Sequence, residues 1–97
     1  MSAPPDTERI RAALASVIDP ETGHDLLAMG MIYAVERAGD QIRVTMTSTV
    51  RGCPMAEMLR LGVQTALAAL PGLTRAEVVL TWAPPWTPAR MGAPLEL

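Results

Sequence analysis

Ile10, Ala13, Leu14, Val17 and Ile18 recur at i, i+3, i+4, i+7 and i+8, the spacing of one buried helix face. The pattern predicts a first helix from about Thr7 to Ile18, with Asp6 as its N-cap. Pro20 disfavours helical backbone at Asp19. The segment Asp19-Pro20-Glu21-Thr22-Gly23-His24 therefore reads as a turn. Residues 1–5 read as a short loose tail.

The period then falls to two. Met31 to Arg37 reads as a first strand after Gly30, and Ala38-Gly39-Asp40 as a hairpin turn. Gln41 to Ser48 is the clearest strand: Ile42, Val44 and Met46 face one way, Arg43, Thr45 and Thr47 the other. Helical spacing returns from Pro54 to Leu70, through Met55, Met58, Leu59, Gly62, Val63, Ala66, Leu67 and Leu70. Pro71-Gly72 ends that helix. Glu77 to Trp82 reads as a third strand, with Val78, Leu80 and Trp82 on one face. Ala83-Pro84-Pro85-Trp86-Thr87-Pro88 cannot continue a central strand.

The order is α-β-β-α-β. A helix joins the second and third strands, which predicts a parallel pair with a right-handed crossover. One apolar and one polar face on the second strand place both helices on the same side of the sheet. The fold class is α+β: a two-layer sandwich with a three-stranded mixed sheet. It forms a single domain over 1–97, with its core at about 7–91.

Composition narrows the function classes. The 97 residues are 49% apolar, which argues against disorder. The net charge is −2, and all eight basic residues are arginines scattered along the chain. With no basic stripe and only Tyr33, Trp82 and Trp86 as aromatics, nucleic-acid binding is not expected. No apolar run reaches the length of a membrane span, and residues 1–6 do not read as a signal peptide. A single cysteine fits a reducing, cytoplasmic setting.

That cysteine carries the chemistry. Cys53 lies in Thr49-Val50-Arg51-Gly52-Cys53-Pro54, between a strand and a helix. Pro54 suits the first helical position, which puts Cys53 at or beside the N-cap. Unpaired N–H groups and the helix dipole there stabilise a thiolate. Such a thiol is a nucleophile or a soft metal ligand; the plainer alternative is a small buried hydrophobe. Asp19, Glu21, His24, Cys53 and the Thr49 hydroxyl come together if their two segments meet at one end of the sheet. Each also has a plainer role: Asp19 as a turn starter, Glu21 and His24 as surface residues, Thr49 as a strand former. Trp86 could be a lid, a partner anchor or sheet packing. A structural zinc site needs four N or S ligands, and the sequence has no Cys-x-x-Cys or His pair.

Asp19-Pro20-Glu21-Thr22-Gly23, Met29-Gly30-Met31-Ile32-Tyr33, Thr49-x-x-Gly52-Cys53-Pro54 and Pro84-Pro85-Trp86-Thr87-Pro88 with Met91 resemble, in order and spacing, the motifs of one family. It is the family of metal–sulfur cluster assembly factors, which includes SufT-type proteins, PaaD-type proteins and the eukaryotic cytosolic iron–sulfur targeting factors. The resemblance covers roughly residues 8–91. It implies a fold like the C-terminal NifU domain and a role in iron–sulfur protein maturation, with Cys53 as the key residue and metal ligand. Asp19, Glu21, Thr49 and Cys53 match the family's site positions. The chain departs from the pattern at Val50-Arg51, at Thr22, where an aliphatic residue is usual, and at Ala28, where Asp or Asn is frequent. It also lacks the Cys-rich extension of full PaaD-type proteins.

An iron–sulfur cluster normally takes four thiolates. One chain supplies one, and a homodimer would supply two. A transient cluster or iron ion is therefore expected rather than a tightly bound one. The leading expectation is a non-enzymatic accessory factor that works with the assembly machinery and client apo-proteins, with Trp86 contacting a partner. The alternatives are a thiol enzyme, with Cys53 as nucleophile and His24 or Asp19 as base, and a PaaD-like partner in maturing a phenylacetyl-CoA ring-oxidising enzyme.

Overall fold

The computed structural model describes residues 5–48, 54–93, 95 and 97. Its elements are α1 (Thr7–Ala15), β1 (Ile32–Ala38), β2 (Gln41–Met46), α2 (Pro54–Ala68) and β3 (Arg75–Leu80), followed by a 3-10 turn at Pro88–Arg90. β1 and β2 pair antiparallel and β2 and β3 parallel, in the sheet order β1-β2-β3. This is the predicted α+β topology.

Asp6 caps α1 as expected: its backbone is extended, and Oδ1 accepts the Arg9 N–H at 2.9 Å. The helix ends at Ala15, three residues before the predicted Ile18. The Ser16 hydroxyl and N–H both donate to the Ala13 carbonyl, at 2.6 and 3.2 Å. Serine competes with the helical ladder in this way. The chain then opens, Val17 accepts the Leu26 N–H at 3.1 Å, and Ile18 bridges Asp25.

The hairpin between β1 and β2 is tighter than predicted. Ala38 pairs with Gln41, which leaves only Gly39 and Asp40 in the turn, and Gly39 takes φ 61°. At the other end of β1, Ile32 faces Met46 while Ala34 faces Thr45. Tyr33 is therefore an extra, bulged residue. A bulge bends its strand and re-aims a side chain, and Tyr33 points its hydroxyl at the C-terminal segment.

Ile42, Val44 and Met46 of β2 are buried, as the alternation predicts. They form one core with Ile10, Ala13 and Leu14 of α1, Leu59, Val63 and Leu67 of α2, Val78 of β3, and Leu26, Met29 and Met31. The segment leaving α1 packs on α2 where α2 has glycine: a Cβ on Gly62 would sit 3.3 Å from Cγ1 of Val17. Met58, expected in the buried stripe, is instead 64% exposed, and Leu61 is 50% exposed. At 3.6 residues per turn, Met58 lies about 100° around the helix from Leu59, beyond the buried arc.

Candidate functional site

The C-terminal ends of β2 and β3, the approach to β1 and the turn after α1 meet at one end of the sheet. The turn is fixed first by its backbone. The Asp19 N–H donates to the His24 carbonyl at 2.9 Å, and the Gly23 N–H to the Asp19 carbonyl at 2.8 Å. Gly23 sits at φ 75°, which glycine adopts without a Cβ clash. The Asp19 carboxylate locks the same turn from inside. Oδ1 accepts the Glu21 N–H at 3.0 Å and Oδ2 the Thr22 hydroxyl at 3.3 Å. Asp19 is only 3% exposed, whereas Glu21 and His24 are exposed. The two carboxylates thus differ: one is clamped inside the turn, and the other is open to solvent.

A second turn follows. Asp25 Oδ1 accepts the Ala28 N–H at 2.9 Å, and the Met31 N–H returns to Leu26 at 3.1 Å. Ala28 replaces a polar residue of the family pattern, yet its backbone is used fully, because its carbonyl also accepts the Gly92 N–H at 2.8 Å. Met29 is the meeting point. Its Sδ lies 3.4 Å from the Thr22 hydroxyl oxygen, and its carbonyl accepts the Trp86 indole N–H at 2.6 Å. The Asp19 turn, the Met29-Gly30-Met31 segment and the Pro-Pro-Trp segment are thereby joined. Thr47, at the end of β2, donates its N–H to the Met31 carbonyl at 2.8 Å. The chain leaving β2 toward Thr49 and Cys53 therefore starts from this same hub.

The Pro-rich segment is held along its length. The Tyr33 hydroxyl donates to the Pro84 carbonyl at 2.7 Å, and the Arg90 guanidinium stacks over the Tyr33 ring at 4.4 Å. Gly30, at φ 70°, allows the closest approach. A Cβ there would lie 2.0 Å from the Arg90 carbonyl oxygen. Trp86 is half-buried against the core. Of the three roles considered for it, packing is the one its contacts support, and its indole is engaged within the chain rather than held out for a partner.

Thr49 and Cys53, both expected in the site, lie outside the described residues. Asp19 and Glu21 are placed in one turn, as expected. Sequence reasoning missed Met29, Tyr33 and Arg90, although the glycine in Met29-Gly30-Met31 was a usable sign of close backbone approach. Among the described residues, no group of three or more His, Cys, Asp and Glu side chains is arranged to hold a metal ion. Nor is any helix among them long and apolar enough to cross a membrane. On α2, Arg60 donates to both carboxylate oxygens of Glu57. That hydrogen bonding holds the Glu57 carboxyl below its usual range and raises Arg60, but an exposed pair of this kind contributes little to stability.

The profile of a family described as iron–sulfur cluster assembly protein matches residues 7–80. The chain is 42% identical over 85 residues to the Fe-S protein maturation auxiliary factor YitW of Bacillus subtilis, spanning 87% of this chain and 83% of that one. It is 42% identical over 72 residues to the Fe-S protein maturation auxiliary factor SufT of Staphylococcus aureus, spanning 73% and 82%. Among solved structures, a domain of unknown function, DUF59, from Bacillus anthracis superposes with a TM-score of 0.81 at 36% identity, covering 89% of this chain and 83% of that domain.

Proposed function

Because the chain belongs to the iron–sulfur cluster assembly protein family, we propose that it is an accessory factor that holds iron or a nascent cluster transiently and passes it to client apo-proteins. The cluster is cargo, not a resident cofactor. Cys53 is the thiolate ligand. Glu21, exposed beside the hub, is the supplementary carboxylate. Asp19 is the buried carboxylate behind it: each oxygen accepts one hydrogen bond within the turn and keeps lone pairs for a cation. Thr49, four residues before Cys53 in sequence, supplies a hydroxyl. The protein carries its cargo and catalyses no reaction of its own, in a reducing cytoplasm where a lone thiol survives. Its partners are the assembly machinery and the clients.

The observation that carries this reading is the convergence at Met29. Segments far apart in sequence, each bearing a family motif, are tied to one backbone hub at the sheet end where Thr47 leaves β2, six residues before Cys53 in sequence. The names of the relatives, both maturation auxiliary factors, support the same role. Anaerobic reconstitution with iron and sulfide tests it. With one thiolate against a normal set of four, wild-type protein should take up less than about one cluster per chain and lose it readily to an apo-client. Cys53→Ser should fall to background. Undiminished uptake by Cys53→Ser would remove the thiolate from the reading.

A further inference from the structure

β3 lies at one edge of the sheet, and its outer side carries unpaired backbone groups. Leu80 pairs with Met46, and the Met46 carbonyl accepts the Thr81 N–H at 2.8 Å. Along a strand, successive residues turn their backbone groups to opposite sides. Thr81, Val79 and Glu77 therefore turn theirs toward β2, whereas Leu80, Val78 and Ala76 turn theirs away. Among the described residues, no other segment bonds to that outer side. Such a row is a template for another strand.

The side chains beside this edge carry charge. Val78 is buried against the core, while Arg75 and Glu77 are exposed on the open face of the sheet, because alternate side chains take opposite faces. Glu77 stands opposite Arg43 of β2 in the register, yet the one ion pair among the described residues is Arg60–Glu57. Two side chains of opposite sign, two positions apart and without an ion-pair partner, thus flank Ala76.

We infer that β3 pairs antiparallel with β3 of a second copy of this chain, about a two-fold axis at Ala76. A two-fold interface must be self-complementary, and this edge is. Ala76 lies opposite itself, so the outward N–H of each copy meets the outward carbonyl of the other. Arg75 of each copy then lies opposite Glu77 of the other. Opposed residues that exchange no backbone bonds have the closer side chains, and opposite charges there favour pairing. An axis at Glu77 would set that carboxylate against itself. An axis at Val78 would lengthen the ladder but set Glu77 against Val79, with neither charge paired. Charge therefore selects the Ala76 register. The contact is small and belongs to the weak, reversible class of interfaces. Because the strands run antiparallel, the two Met29 hubs lie at opposite ends of the joined sheet, and each copy keeps its own Asp19 turn.

Sedimentation velocity of the full chain over a concentration series tests the interface. Wild-type protein should pass reversibly from monomer to dimer, and added salt should weaken the dimer, because the deciding charges are exposed. Arg75→Glu and Glu77→Arg each set like charges against one another at two symmetric places. Each should weaken self-association by about tenfold or more. In an equal mixture of the two variants every opposed pair is complementary, and association should return to within about threefold of wild type. Wild-type protein that stays monomeric throughout would overturn the proposal and leave the edge to a different partner. Undiminished self-association of the single variants, or a mixture no better than its components, would overturn it as well. Amide exchange of the wild type reads the register without mutation. The Ala76 amide should slow as protein concentration rises, and the Leu80 amide should not. Concentration-dependent protection of Leu80 would place the axis at Val78 and overturn the charge-set register. Should either variant fail to fold, this exchange measurement decides alone.

Discussion

The indole N–H of Trp86 donates to the backbone carbonyl of Met29 at 2.6 Å across 57 residues of sequence. That one bond makes the Pro-rich segment part of the floor beneath the Asp19 turn. Trp86→Phe keeps most of the ring's packing and removes the donor, leaving a carbonyl without its partner. The expected loss is about 1–3 kcal/mol, read as a lower urea midpoint at unchanged slope. An unchanged midpoint would mean that the hydrogen bond contributes nothing net.

Gly30→Ala should cost more. The new Cβ would meet the Arg90 carbonyl oxygen at 2.0 Å, on a backbone held at φ 70°. A non-glycine residue in that conformation alone costs about 1–3 kcal/mol, and here the obstruction is main chain that cannot rotate away. The segment around Arg90 should lift, and the Gly92 amide, bonded to the Ala28 carbonyl, should exchange its hydrogen faster. Unaltered Gly92 exchange together with a wild-type melting temperature would contradict the packing described.

Asp19 and Glu21 should separate in their effects. Asp19→Ala strips the Glu21 N–H and the Thr22 hydroxyl of their acceptor; both donors sit on exposed residues that water can reach, so the loss should be about 0.5–1.5 kcal/mol, the net worth of a hydrogen bond. Glu21→Ala touches an exposed side chain and should stay within about 0.5 kcal/mol, while client maturation falls. Full client maturation by Glu21→Ala would take that carboxylate out of the site.

On α2, neighbouring residues should respond oppositely. Leu59 is buried in the core and Met58 is exposed. Leu59→Ala should lose about 2–5 kcal/mol, whereas Met58→Lys should change stability by no more than about 0.5 kcal/mol. Chemical denaturation of the pair checks the helix phase directly. A large loss from Met58→Lys would place that residue in a packed contact.

Cargo ligation predicts a dependence on added thiol. Glutathione supplied during reconstitution should raise cluster occupancy in wild-type protein by filling vacant coordination positions. It should not rescue Cys53→Ser. Absorption spectra at matched iron and sulfide concentrations make the comparison, and occupancy indifferent to glutathione would argue for ligation by side chains of the chain alone.

Regular patterning made the sheet legible. The alternation of Ile42, Val44 and Met46 fixed the buried face of β2, and the helix between β2 and β3 fixed their parallel pairing. The Asp6 cap was readable because a side-chain acceptor three residues before its N–H donor is a local arrangement. What sequence reading missed is non-local or depends on angle. Ser16 closes α1 early through a hydroxyl competing for one carbonyl. Met58 satisfies the helical period at the wrong azimuth. The ties of Trp86, Tyr33 and Arg90 to residues more than fifty positions away leave no periodic trace. Of the site, the Asp19 turn was legible from Pro20 and Gly23, but its clamped carboxylate and the Met29 hub were not, because both depend on where separate loops come to rest.

The bulge at Tyr33 and the long reach of Trp86 have a bearing on the order of assembly. Closing a contact over so many residues carries a loop entropy that falls once intervening elements are already paired. The hairpin can form locally, β3 can join β2 only after α2 has folded back, and the Pro84–Gly92 segment has its docking surface only when Met29 and Tyr33 are already in position. On loop entropy, the platform under the Asp19 turn is expected to close last, because its docking surface is assembled from elements that must pair first.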